Sequence, residues 1–299
     1  MKKRGWWILS GVLLFFLASF TVFIVAIFFL LSRSDNLEYT GADVAVVEIE
    51  GTIMEAKDTL ETLEKVEKNK SIKAVVLRID SPGGAVGPSQ EIYEAVKKLK
   101  LKKKVVVSMG SVAASGGYYI AVASDKILAM PGTITGSIGV LMDHVNIEGL
   151  LDIFKVKAEI LKAGARKDIG SSLRPMTEEE RAFLQSLLSN MHAQFKRAVQ
   201  EGRGFTDDQI NTLADGRVFT GEQALQEKLV DQLGGLRDAI KVAGELAGIK
   251  GEPDVSYPGR KKKSFVELLL TEDAETTLLK MFYHLKQRQF LYLMKEDAI

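Results

Sequence analysis

Residues 72–79 (I-K-A-V-V-L-R-I) leave the chain little choice of architecture. A run this short and this rich in Val and Ile reads as a buried strand, because β-branched side chains fit a pleated surface and the length falls short of a helix. Residues 43–49 (D-V-A-V-V-E-I), 105–109, 126–129 and 156–161 read the same way. Helical segments separate them: a charged amphipathic one over 57–70, another over 89–99, and a short one over 115–123. Strand, helix, strand, repeated, predicts right-handed βαβ units and an α/β sheet. The second half is mostly helical. Thr177-Glu178-Glu179-Glu180 and Thr206-Asp207-Asp208-Gln209 have the form of capping boxes, and 221–228 and 236–247 read as further helices. No repeat of solenoid length is present.

The N-terminus obeys different physics. Residues 6–31 are 26 positions without a charge. That is enough to cross a hydrocarbon core of about 30 Å. A cleaved leader would have a shorter apolar region, about 7–15 residues, followed by a small-residue cleavage site, and no such site precedes Ser32. The run therefore reads as one uncleaved transmembrane helix. Lys2, Lys3 and Arg4 precede it, which puts residues 1–5 in the cytoplasm and everything after the span outside. Residues 32–42 read as a linker, 43–258 as the folded domain, and 259–299 as a basic, amphipathic helical tail. That tail opens on Arg260-Lys261-Lys262-Lys263. Its apolar residues suit either packing on protein or lying on a membrane.

Composition removes whole classes of function. A formal charge of +1 gives no field for nucleic acid. The absence of Cys excludes thiolate metal sites and Cys nucleophiles, H-E-x-x-H is absent, and neither a P-loop nor a dinucleotide fingerprint occurs in context. No metal or other cofactor is expected. What remains is a serine before two glycines, Ser115-Gly116-Gly117, after a buried strand. The small residues 111–114 before it read as a loop, and a second glycine pair follows another strand in the turn Ser81-Pro82-Gly83-Gly84. Backbone N–H groups at such positions suit an oxyanion hole.

The serine lacks an obvious base. His144, His192 and His284 are the only histidines, none within 20 residues of it, and G-x-S-x-G and S-x-x-K are both missing around it. A lysine is the alternative. Lysine acts as a base only when neutral, and bringing its pKa from about 10.4 to about 7–8 takes about 4 kcal/mol of differential interaction. Lys167, in K-A-G-A-R-K-D-I-G-S, is one candidate among several, with Asp168 beside it as a competing partner.

Six segments carry a family resemblance: I-D-S-P-G-G (79–84), G-S-V-A-A-S-G-G-Y-Y-I-A (110–121), A-S-D-K-I-L-A (123–129), G-S-I-G-V (136–140), G-A-R-K-D-I-G-S (164–171) and A-D-G-R-V-F-T-G (214–221). Together they resemble the signal peptide peptidase A type of membrane-anchored Ser-Lys peptidase, over residues 43–248. The resemblance implies a ClpP/crotonase-like fold of repeated ββα units with a helical second half. It also implies Ser115 as nucleophile, Lys167 as general base, and Gly116 with Gly83 or Gly84 as oxyanion donors. It further implies a homo-oligomer with sites shared between subunits. The implied substrates are signal peptide remnants and other apolar peptides, cleaved at the extracytoplasmic membrane face.

Overall fold

The computed structural model describes residues 19–22 and 41–259, and the backbone of 291–293. The span expected over 6–31 falls almost wholly outside these, and no helix among the described residues is long and apolar enough to cross a membrane. Tail residues 260–290 and 294–299 likewise lie outside them.

Six parallel pairings build the central sheet. Strand β1 (Val44–Glu50) leads through helix α1 (Lys57–Lys68) to β2 (Ala74–Ser81). A three-residue strand β3 (Gly83–Ala85) opens helix α2 (Val86–Lys100), which returns to β4 (Lys104–Ala114). Helix α3 (Gly116–Ala121) follows, then β5 (Lys126–Ala129) and β6 (Ile134–Gly136). After α4 (Glu148–Ile153) come α5 (Glu178–Arg203), α6 (Asp207–Leu213), β7 (Val218–Thr220), α7 (Gly221–Gln226), β8 (Gln232–Leu233), α8 (Leu236–Leu246) and β9 (Val255–Ser256). The strand order is β7-β6-β4-β2-β1-β9, with β5 also on β4 and β8 on β5. Only β6–β7 is antiparallel within this sheet.

The apolar runs are explained by burial on both faces. Alternate residues Ala45, Val47, Ile49, Val75, Leu77, Ile79, Val105, Val107 and Met109 join a core with the inner sides of α1, α2, α3 and α5. The intervening Val44, Val46, Ala74, Val76 and Val106 pack on Ala239 and Ala243 of α8. Each such Val, Leu or Ile contributes about 1.5–3 kcal/mol on burial. Thr177 and Thr206 cap α5 and α6 with the reciprocal hydrogen bonds that their sequences predict.

Three expectations need correction. Residues 156–161 do not form a strand: Val156 and Leu161 are 50% and 90% exposed, so nothing buries the apolar side of that run. Residues 111–114, read as a loop, are the end of β4. Gly83-Gly84, read as a turn, belongs to a strand. A further strand, β10 (Leu291–Leu293), lies within the tail expected to be helical and pairs antiparallel with β3.

Candidate active site

A bulge aims the serine. The β2–β4 register runs in step from Ala74↔Lys104 to Ile79↔Met109 and then jumps to Ser81↔Ala113. The extra residues of β4 are held by Asp80, whose Oδ1 accepts the Val112 N–H at 3.1 Å. Bulges bend a strand and raise its twist. Here the bend lets β4 pair with β5 over Val106–Ser108 and then with β6 over Val112–Ala114. Ser115 is the next residue.

Ser115 adopts φ 53° and ψ −117°, a conformation that suits glycine and strains any L side chain. It is held there by donation of its N–H to Gly136 O and by acceptance at its carbonyl of the Tyr119 N–H, both 2.8 Å. Its hydroxyl is fully buried, and Oγ has no hydrogen-bond partner among the described residues. A strained serine with an unsatisfied hydroxyl costs stability twice, so its place in a packed core points to a chemical role.

The two glycine pairs meet here. A Cβ on Gly116 would lie 2.5 Å from Ser89 Oγ, 3.2 Å from Gly84 N and 3.3 Å from Gly83 Cα. A Cβ on Gly84 would sit 2.1 Å from the Ile53 carbonyl oxygen. Both positions thus need glycine for close approach. Ile53 N–H donates to Gly83 O (2.9 Å) and Ala85 N–H to Ile53 O (2.7 Å), so by strand alternation the Gly84 N–H faces the opposite edge. The Gly83 N–H is already given to Ser81 Oγ at 3.1 Å. The Gly84 N–H therefore faces the edge of β3 that β10 occupies, and Gly116, the first residue of α3, presents an N–H that the helix itself does not use.

Sequence reasoning passed over three residues that shape this site. Asp80 pins the bulge, Ser81 fixes Gly83, and Ser89 donates to Ala85 O at 2.9 Å while packing on Gly116. Asp80 and Ser81 lie inside I-D-S-P-G-G and were within reach, whereas nothing local marked Ser89. The free edge of β3 is taken by β10, with Tyr292 opposite Gly84 and Leu291 opposite Ala85.

Lys167 does not hydrogen-bond Ser115 within the chain, since Oγ has no partner among the described residues. It lies on an exposed turn-rich segment, with its N–H on Gly164 O at 3.1 Å and its amine in no ion pair among the described residues. Asp168, the competitor beside it, is engaged elsewhere: Lys162 and Arg174 both bind its carboxylate and hold its pKa far below the usual carboxylate range. Neither described histidine hydrogen-bonds Ser115 Oγ. His144 sits in a stretch without assigned secondary structure, and His192 donates Nε2–H to Ile138 O at 3.2 Å. Burial lowers the His192 pKa.

The model of peptidase family S49 matches residues 97–250, and the Clp protease model matches 44–135. A candidate protease of Synechocystis is 44% identical over 217 residues, covering 72% of this chain and 77% of that one. A candidate signal peptide peptidase A of Enterococcus faecium is 39% identical over 182 residues, 60% of this chain and 53% of that one. Protease 4 of Haemophilus influenzae is 33% identical over 230 residues, 73% and 37% of the two chains. The Clp protease match fits the observed α/β sheet with its bent β4. With the S49 match spanning half of the chain, the protein belongs to peptidase family S49 and is a serine protease of the signal peptide peptidase A type.

Proposed function

We propose that the protein is a membrane-anchored endopeptidase with a Ser115–Lys167 dyad that degrades signal peptide remnants and other apolar peptides outside the cytoplasm. The carrying observation is Ser115 itself: strained, buried and without a hydrogen-bond partner among the described residues, beside the closely packed backbones of Gly84 and Gly116. Ser115 Oγ attacks the scissile carbonyl while Lys167, as the neutral amine, takes its proton. The Gly84 and Gly116 N–H groups receive the oxyanion. Lys167 then protonates the departing amine, and water releases the acyl group from Ser115 by the reverse sequence.

The uncharged run over 6–31 supports the anchor, and the name of the Enterococcus relative supports signal peptides as substrates. Lys167 comes from a neighbouring subunit in this reading. Its exposure supports this, together with the surface display of Ile153, Phe154, Val156 and Leu161 along the same segment. Large apolar side chains grouped on a surface mark an interface.

The test mixes two inactive proteins. Ser115→Ala and Lys167→Ala chains are each expected to lack activity on casein. Co-assembled at random, about a quarter of their sites would combine an intact Ser115 with an intact Lys167 across a ring interface. Recovered turnover near that fraction is expected. Activity in either single variant would sink the dyad, and a silent mixture would sink sharing between subunits.

A further inference from the structure

A base lysine next to an aspartate poses a problem that the structure answers. A carboxylate within about 4–6 Å stabilises the ammonium form, which is useless as a base. Asp168 is adjacent to Lys167, yet both of its oxygens are committed: Oδ2 accepts from Arg174 Nε at 2.8 Å and Oδ1 accepts from Lys162 Nζ. The rest of the Arg174 guanidinium turns to α5. Nη1 donates to Glu180 Oε2 at 2.9 Å, and Nη2 donates to Glu180 Oε1. The Asp168 and Glu180 side chains are only 9% and 10% exposed. Glu180 is fixed in turn by the capping box, accepting the Thr177 N–H at 3.0 Å.

Lys162, Arg166, Asp168 and Arg174 flank Lys167 along its own segment, and Glu179 and Glu180 stand in the first turn of α5. Every carboxylate among them has a cationic partner, Glu179 being paired with Arg166. Two carboxylates and two cations make the inner cluster of Asp168, Glu180, Arg174 and Lys162 neutral overall.

We propose that Arg174 is a positioning residue for the peptidase: by gripping Asp168 and Glu180 together, it keeps the carboxylate beside Lys167 from pairing with that amine. The inference rests on Lys167 being the base. Only a planar guanidinium can bridge two carboxylates this way, because its donors form a rigid fork while an ammonium is a point charge. Loss of Arg174 releases one oxygen of Asp168 and leaves the two carboxylates Asp168 and Glu180 against the single cation Lys162, a net negative cluster next in the chain to Lys167.

The experiment is the pH profile of kcat/KM on a quenched-fluorescence apolar peptide, using the full chain in neutral detergent. In Arg174→Gln the low-pH limb is expected to move up by about one pH unit, an approximately tenfold loss at a fixed pH below it. Adding Asp168→Asn is expected to move the limb back, and Arg174→Lys to shift it less than Arg174→Gln. A limb that stays put in Arg174→Gln, or a shift that Asp168→Asn fails to reverse, overturns the proposal, since a bracing role alone would only deepen with the second substitution. If Arg174→Gln does not fold, Lys162→Ala frees the other Asp168 oxygen and carries the same test. Lys167→Ala separates the two readings. If it stays active, the base assignment fails, and if it is inactive while the limb is unmoved, only the role of Arg174 fails.

Discussion

Replacing Ser115, the proposed nucleophile, should stabilise this protein. The Ser115 hydroxyl is completely buried and has no partner among the described residues. An unsatisfied buried hydroxyl costs about 1–3 kcal/mol relative to its absence. Ser115→Ala removes that penalty, keeps Cβ, and leaves the backbone at φ 53° unrelieved. The expected gain is therefore about 1–3 kcal/mol, or about 2–10 °C in Tm for a domain of this size. Ser115→Gly adds relief of the positive-φ strain, about 1–3 kcal/mol, against about 0.5–1 kcal/mol of extra unfolded-state entropy. Gly should then match or exceed Ala. Thermal melts at one fixed protein concentration, run beside casein turnover and fluorophosphonate labelling, read all of this. Activity should fall by at least about a thousandfold in both variants, with labelling lost. A Ser115→Ala protein that melts lower than the parent would show that Oγ makes a stabilising contact, and the argument from strain and burial would collapse.

Other expectations follow from neighbouring contacts. Gly116→Ala places a Cβ 3.2 Å from Gly84 N and 2.5 Å from Ser89 Oγ, so it should push the two donors apart and lower kcat by about 10²–10³ with correct folding on circular dichroism. A kcat within threefold of the parent would remove Gly84 and Gly116 from the oxyanion role. Ending the chain after Gly259 removes β10 from the edge of β3 that an extended peptide would use. Because a tethered strand competes at an effective concentration in the millimolar range, the apparent KM for an added peptide should fall, and an unchanged or higher KM refutes that competition. Acid should loosen the Lys167 segment: Arg174 and the Thr177 N–H draw the Glu180 pKa down to about 2, below its unfolded value near 4.3. A depressed carboxylate stabilises the fold above the unfolded pKa and loses that contribution as pH falls through the folded one. Pepsin nicking within 160–176 should therefore rise between about pH 4.5 and pH 2, and Glu180→Gln should flatten the change.

Much of the framework was legible because it depends on local chemistry. Residues 72–79 and 105–109 announce strands buried on two faces through unbroken apolar character, and the observed cores on either side of the sheet bear this out. Thr177 and Thr206 announce helix starts through short-range hydrogen bonds that need no tertiary context. Residues 156–161 failed for the complementary reason: an apolar run becomes a strand only where a neighbouring strand receives it, and none does among the described residues. The tail was equally opaque, since the pairing of Leu291 with Ala85 joins positions some 200 residues apart that share no local signal.

By itself, the sequence determined that the chain builds an α/β sheet with a serine before paired glycines and without a nearby histidine. Those properties follow from side-chain type and spacing alone. Only the tertiary structure decided that a bulge pinned by Asp80 turns Ser115 into a strained, buried position. It likewise brought Gly84 against Gly116 and spent the Gly83 N–H on Ser81. It also engaged Asp168 with Arg174, leaving Lys167 without an ion pair among the described residues. Each of these depends on which groups from distant segments come within a few ångströms, and spacing along the chain carries no record of that distance.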